Sequence, residues 1–153
     1  MGLDQISLKG RALRLLSGRE HSRAELQRKL RQHETETGEL AKALDELEAK
    51  GFISEQRVIE SVVHRRSSRL GAARVRQELQ AKGLDAQAVA DAVAALQGSE
   101  EARAREVWRK KFGQPPRDAA EQGRQMRFLL TRGFGAEVVR RVVRGGATQD
   151  DEG

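Results

Sequence analysis

The three histidines are the residues of this sequence best suited to metal or acid–base chemistry. His33 lies beside Glu34 and Glu36, a grouping that could bind a metal ion. However, the chain has no cysteine, and no two histidines have the i, i+4 spacing of a helical metal site. We therefore expect no metal, and we interpret His21, His33 and His64 as surface residues in polar turns.

Other catalytic patterns are equally weak. The sequence has no nucleophile-elbow motif, and its serines stand at apparent helix ends. Glu25 and Lys29 have the i, i+4 spacing of a helix-surface pair. Gly145-Gly146 is not followed by the Lys-Ser/Thr of a phosphate-binding loop. No motif in the sequence therefore supports a catalytic helical bundle, and we expect neither enzymatic activity nor a cofactor.

The basic residues are the stronger candidates, because they are unevenly spread. The net charge is +6 for the chain and +6 for residues 100–145, against +1 for residues 1–50 and −3 for residues 146–153. Such asymmetry favours a polyanionic partner, either nucleic acid or an acidic protein surface. Each basic cluster is equally explained as a solvated surface.

Two basic clusters are candidates for contact with a partner. The first surrounds the junction of the fourth and fifth predicted helices and contains Arg65, Arg66, Arg69, Arg74 and Arg76. The second lies in the last third of the chain and contains Lys110, Lys111, Arg124, Arg127, Arg132, Arg140, Arg141 and Arg144. We expect charge reversal at Arg140, Arg141 and Arg144 to matter more than reversal at Arg11 and Arg14, in the nearly neutral first fifty residues.

The elements that carry these side chains are helices. Apolar residues recur at helical spacing in nine segments, and the two prolines are adjacent, at Pro115 and Pro116. Ser22 and Glu25 predict a capping box, and Thr37 is a candidate cap for the third helix. We expect Leu130 to face inward, and Trp108 to be a core residue, the alternative being an anchor at an interface.

One short pattern occurs three times: Leu, a basic residue three positions later, then glycine and a large apolar residue. The copies are residues 47–52 (LEAKGF), 79–84 (LQAKGL) and 129–134 (LLTRGF). A glycine just past a helix end can adopt the left-handed conformation that closes the helix, while the next apolar residue folds back onto the leucine. We therefore predict positive φ at Gly51, Gly83 and Gly133.

This pattern divides the chain into three repeats of three helices. We define them as residues 1–50, 51–98 and 99–145, followed by an acidic tail, 146–153, that we expect to be disordered. The first repeat departs from the others, because Glu34 stands where the corner glycine is expected. The fold class is therefore all-α, an elongated and curved array of small cores, since each repeat contacts only its neighbours.

With the repeats defined, the chain resembles the RecX family of regulatory proteins over about residues 9–144. The most specific stretches are residues 71–83 (GAARVRQELQAKG) and 127–134 (RFLLTRGF), with residues 22–30 (SRAELQRKL) matching the opening of the family's first repeat. Three positions depart from the family pattern. Ser54-Glu55 replaces an acidic pair, Val58-Ile59 an aromatic-alanine pair, and Glu34 a glycine.

The resemblance implies a function and a partner that composition and periodicity do not show. RecX-like proteins are three-repeat inhibitors of the RecA recombinase, a class tied to DNA repair and recombination. They bind the RecA filament on single-stranded DNA and oppose its extension, ATPase and strand exchange. By that resemblance we expect the chain to bind the RecA filament, with weak DNA contact. The lack of cysteine and of an apolar run of about 20 residues leads us to expect a cytoplasmic protein without a membrane span, and we expect a monomer. The alternative is a basic helical module that binds nucleic acid, against which the low aromatic content, 3%, counts.

Overall fold

Residues 6–145 are described by the computed structural model, and within that range the chain forms nine α-helices and no strand. The predicted number and order of the helices are confirmed. The acidic tail, 146–153, lies outside the described residues. The helices are α1 (Leu8–Gly18), α2 (Arg23–Leu30), α3 (Glu39–Ala49), α4 (Glu55–Arg66), α5 (Ala72–Ala81), α6 (Ala86–Gln97), α7 (Glu100–Lys111), α8 (Ala119–Thr131) and α9 (Ala136–Gly145).

Each repeat buries its own apolar cluster. Leu26, Leu44 and Leu47 are completely buried in the first, and Val75 and Leu79 in the second. The third cluster contains Ala104, Trp108, Leu129, Phe134, Val139, Val142 and Val143. Three small cores explain how a chain with 37% hydrophobic residues folds, because each repeat needs to cover only a narrow apolar stripe.

The helix starts agree with prediction at Ser22 and disagree at Thr37. The Ser22 hydroxyl accepts a hydrogen bond from the Glu25 amide at 3.1 Å, and the Ser22 amide donates to the Glu25 carboxylate at 3.0 Å. Thr37 is not the cap of α3, because Gly38 holds that position with φ of 89° and no side-chain cap. The free amides at this end are satisfied instead by Glu34, whose Oε1 accepts from Gly38 N at 2.9 Å.

All three corner glycines have the predicted positive φ: 82° at Gly51, 67° at Gly83 and 92° at Gly133. At the last corner, Phe134 N donates to Leu129 O at 3.3 Å and the Phe134 ring is buried in the third core, as predicted. At Gly51 the chain also closes back on Leu47, since Phe52 N donates to Leu47 O at 2.9 Å, but the Phe52 ring is not part of the core. Phe52 is 47% exposed there, and the core position is taken by the next residue, Ile53.

Two of these corners hold the repeats together. The Gly133 corner of the third repeat docks on the first turn of α5, where Gly71 N donates to Arg132 O at 2.8 Å and Ala73 N donates to Gly133 O at 3.3 Å. A Cβ added at Gly71 would overlap the backbone of Gly133. Glu100, at the start of α7, completes this junction by accepting from Ala72 N at 2.8 Å.

The Gly83 corner of the second repeat docks on the first turn of α2 in the same manner. The Ser22 hydroxyl donates to Lys82 O at 2.6 Å, and a Cβ added at Gly83 would lie 2.7 Å from the Ala24 methyl. The corresponding position of the first repeat is Glu34, whose carboxylate accepts from the Gly38 and Leu40 amides of its own turn.

A buried carboxylate stabilises the junction between the first two repeats. The Glu25 side chain is 7% exposed, and its Oε2 lies 2.7 Å from Arg19 Nη2 and 3.4 Å from Lys82 Nζ of the second repeat. Burial opposes ionisation, but hydrogen bonds from Arg19 and Ser22 and the charge of Lys82 lower the pKa of Glu25 from 4.5 to about 2.

Three glycine-to-alanine substitutions separate backbone strain from close approach. Gly51→Ala introduces only the strain of a positive φ, because no atom lies within 4 Å of its added Cβ, and should cost roughly 1 kcal/mol. Gly71→Ala has no such strain but must open the junction, at roughly 1–3 kcal/mol. Gly133→Ala combines both effects and should destabilise most. Urea unfolding measures the order, and a Gly71→Ala variant as stable as the parent chain would contradict the close junction.

Glu25→Gln should destabilise the chain by roughly 1–2 kcal/mol at neutral pH, because Arg19 and Lys82 lose their carboxylate partner. The folded-state pKa of Glu25 is below its unfolded value, so its contribution is complete above about pH 4.5 and is lost as the pH falls toward about 2. The difference in unfolding free energy between parent and variant should therefore shrink over that range. A difference independent of pH would show that folding does not lower the pKa of the Glu25 carboxyl.

The elongated, curved outline remains a prediction, supported by junctions that join neighbouring repeats. A compact chain of 153 residues has a radius of gyration of about 15 Å. Small-angle X-ray scattering should give a larger value and an asymmetric distance distribution. A value near that of a compact domain would contradict the array.

Candidate partner interface

A group of aromatic and basic side chains lies between the end of α7 and the outer face of α8. The Phe112 and Phe128 rings meet edge to face, with centroids 5.5 Å apart. The Arg132 guanidinium lies 4.6 Å from the centroid of Phe128, and Lys111 Nζ lies 5.4 Å from it. Arg124, Phe128 and Arg132 follow at i, i+4 and i+8, so they share one face of α8. We call Lys111, Phe112, Arg124, Phe128 and Arg132 the cation–aromatic patch.

A cleft of about 490 Å³ opens beside this patch, at the turn between α7 and α8. Its walls are Phe112, Gln114, Pro115, Arg117, Glu121, Arg124 and Gln125. Arg117 Nη2 lies 2.9 Å from Glu121 Oε1, and this hydrogen bond lowers the pKa of the Glu121 carboxyl below its ordinary value. The cleft therefore combines an apolar wall with the guanidinium of Arg117, which is paired with Glu121, and that of Arg124, whose charge also lowers the pKa of Glu121. This lining suits a planar or apolar group that carries negative charge.

The junction between the second and third repeats brings part of the first basic cluster to this region. Arg74 Nη1 donates to Thr131 O at 2.7 Å, and its side chain covers Gly133. Arg76 lines a neighbouring groove at the same junction, together with Leu130. Leu130 was predicted to face inward and is instead 43% exposed, because Leu129 takes the core position. Residues far apart in sequence are therefore neighbours at this junction.

Several candidate residues are held by carboxylates of the chain itself. Glu78 lies 3.9 Å from Arg65 and 3.2 Å from Arg66. In the third repeat, Lys110 is 4.0 Å from Glu106, Arg140 is 2.9 Å from Glu137 and Arg141 is 3.1 Å from Glu101. These pairs reduce the positive charge that the five basic residues offer to a partner.

The other candidates keep their charge uncompensated. Within residues 6–145, no carboxylate lies within 4.0 Å of the basic groups of Arg69, Arg74, Arg76, Lys111, Arg124, Arg127, Arg132 and Arg144. Five of these eight, all but Arg69, Arg127 and Arg144, belong to the cation–aromatic patch or to its junction with the second repeat. The aromatic component was missed at the sequence level, although the i, i+4 spacing of Arg124, Phe128 and Arg132 indicates it.

Trp108 and His21 are both buried, the first as we predicted and the second against our prediction. Trp108 is a core residue, 7% exposed, and its indole N–H donates to Gln125 Oε1 at 2.8 Å. His21 is not the surface residue we expected, because it is 2% exposed beneath Lys29, whose Nζ lies 3.0 Å from His21 Nε2. Burial lowers the pKa of His21, with the charges of Arg19 and Lys29 acting in the same direction. Among the described residues no group of three or more acidic or histidine side chains is placed to hold a metal ion.

Three family models, each for a RecX three-helix domain, match the chain one after another. The first three-helix domain matches residues 9–47, the second residues 54–93 and the third residues 99–143. The chain belongs to the RecX family.

Curated relatives agree with this assignment over nearly their whole length. The chain is 57% identical to the Regulatory protein RecX of Leptothrix cholodnii, over 92% of this chain and 89% of the relative. It is 49% identical to the Regulatory protein RecX of Ralstonia nicotianae, over 97% and 93% of the two chains. Residues 6–145 contain no helix with the length and apolar composition needed to cross a membrane.

Solved structures show the same fold at low sequence identity. The crystal structure of RecX from Lactobacillus salivarius superposes with a TM-score of 0.73 at 21% identity, covering 92% of this chain and 95% of that one. A second crystal structure, of a regulatory protein RecX, gives a TM-score of 0.68 at 22% identity, over 88% and 70%. The three-repeat RecX fold predicted from the resemblance is confirmed.

Proposed function

We propose that this RecX-family chain binds the RecA filament on single-stranded DNA and inhibits its extension, ATPase and strand exchange. The observation that carries the proposal is the 57% identity, over 92% of the chain, to a relative named Regulatory protein RecX. The chain acts by binding, as a cytoplasmic monomer, and needs neither a cofactor nor catalysis of its own.

The contact surface we propose is the cation–aromatic patch together with Arg74 and Arg76 at the adjoining junction. Aromatic and arginine side chains contribute disproportionately to protein interfaces, because both bury a large area at a low entropic cost. Here the arginines are exposed and lack carboxylate partners within the described chain, so a partner's acidic groups do not have to displace an existing ion pair. Arg140 and Arg141 are weaker candidates for the opposite reason.

An array of three repeats also has the right shape for such a partner. A helix of about 14 residues is about 21 Å long, so three repeats in series can reach several subunits of a helical filament. Contacts at the third repeat and along the second would then oppose the relative movement of those subunits.

Nucleic-acid binding is the second candidate, favoured by the cationic side chains on the Phe128 ring. A base can stack on an aromatic ring or on an arginine plane, and the neighbouring guanidiniums can take phosphates. Binding to DNA alone, compared with binding to filaments at equal salt concentration, distinguishes the two candidates.

The double variant Arg124→Glu with Arg132→Glu should raise the concentration needed for half-inhibition of RecA's DNA-dependent ATPase by about tenfold, a loss of about 1.4 kcal/mol. Both side chains are exposed and lack ion-pair partners among the described residues, so helicity should not change. The effect should shrink at higher salt, because exposed charges are screened over about 8–10 Å at physiological ionic strength.

The matched control is Lys42→Glu with Lys50→Glu, two exposed lysines on α3 and at its end in the first repeat. This pair changes the net charge equally but lies outside the proposed surface. Equal loss of inhibition by both double variants would show that net charge, rather than the third repeat, determines binding. Undiminished inhibition by the third-repeat variant would remove the patch from the interface.

A further inference from the structure

The first repeat contains a cationic cleft, although the net charge of residues 1–50 is only +1. The cleft has a volume of about 200 Å³ and lies between the outer face of α1 and the end of α2. Its lining consists of basic side chains around two leucines: Arg11, Arg14, Leu15, Lys29, Leu30 and His33.

The packing of α1 against α2 creates this cleft. Arg11 and Arg14 are three residues apart on α1 and therefore lie on neighbouring parts of one helix face. Lys29 stands in the last turn of α2, and His33 follows in the short 3-10 turn Arg31–His33. Lys29 is held in place by the buried His21, whose Nε2 lies 3.0 Å from its Nζ.

The acidic residues of the first repeat are engaged elsewhere. Glu46 lies 2.7 Å from Lys9, and Asp45 lies 2.7 Å from Arg23. No carboxylate lines the cleft, and within residues 6–145 none lies within 4.0 Å of the basic groups of Arg11, Arg14 or Lys29. The net charge of +1 for residues 1–50 is therefore the sum of +5 for residues 1–33 and −4 for residues 34–50.

We propose that this cleft binds the phosphates of single-stranded nucleic acid. Arg11 and Arg14 supply planar donor groups for phosphate oxygens, and Lys29 adds a point charge. Three residues along a helix advance about 4.5 Å, so Arg11 and Arg14 are close enough for both to contact the backbone of one flexible strand. The exposed edge of Leu15 offers an apolar surface for a sugar or base.

A strand fits this protein better than an isolated acidic side chain. The cleft presents several donors and no acceptor, which is more than the two oxygens of one carboxylate can satisfy. The inference concerns the chain without any protein partner and does not rest on filament binding.

The test is fluorescence anisotropy of a labelled oligodeoxythymidylate with the full chain, over a range of salt concentrations. The variant Arg11→Gln with Arg14→Gln should raise the Kd at least about fivefold at low salt. It should also lower the slope of log K against log salt concentration by about 1.4, since each phosphate contact on a single strand contributes about 0.7. The matched control, Lys42→Gln with Lys50→Gln, removes the same charge from the same repeat and should change the Kd by less than about twofold.

Further measurements test whether the ligand is nucleic acid and whether the variants lose affinity only because they are unfolded. Thermal melting must show that both double variants are folded, and Arg14→Lys should restore part of the affinity to an Arg14→Gln single variant. Polyglutamate of matched length should bind more weakly and without dependence on Arg11 and Arg14, and inorganic phosphate should compete with DNA only at high concentration.

Three results would overturn the proposal: equal loss by both variant pairs, no loss by the cleft variant, or tighter binding of polyglutamate through the same arginines. No RecA is present in this assay. A negative result would therefore overturn the cleft proposal without bearing on the proposal that the chain inhibits the RecA filament.

Discussion

A close backbone contact joins a corner of one repeat to the first turn of a helix in the repeat before it. At Gly71 and Gly133 the two backbones leave no room for a Cβ, and the amides at the start of α5 donate directly to carbonyls of the corner. These hydrogen bonds satisfy donors that a helix start otherwise leaves free. The corner therefore closes its own helix and caps a helix of the neighbour, so the folding of each repeat and the order of the array depend on the same few residues.

The same junction determines which charges the protein presents. Arg74 is drawn onto the Gly133 corner, beside a patch in which Arg132 and Lys111 lie against the Phe128 ring. Carboxylates pair with Arg140 and Arg141 nearby. Basic residues that form one dense cluster in the sequence therefore differ in the folded chain, because some are in ion pairs and others are not. The first repeat shows the converse, because its acidic residues pair along α3 and leave Arg11 and Arg14 free.

Short sequence patterns correctly predicted the features that depend on interactions between residues close together in the chain. The capping box at Ser22, the positive φ at Gly83 and the nine helices follow from interactions within a few residues, and each was found. Errors arose where a choice depended on the neighbouring repeat or on competition between adjacent residues. Phe52 yields the core position to Ile53, Leu130 yields it to Leu129, and Thr37 yields the helix start to Gly38 with Glu34. The cation–aromatic patch could not be predicted from charge counts, because a count does not show which basic side chains contact an aromatic ring and which pair with a carboxylate.

The turn at residues 34–38 distinguishes the first repeat from the other two. The start of α8, capped by Asp118, has the place in the third repeat that Gly71 has in the second. In the first repeat Glu34 stands at the glycine position, and its carboxylate is bonded to the Gly38 and Leu40 amides. The first repeat therefore presents a bonded side chain at the position where the other two present the backbone of a glycine.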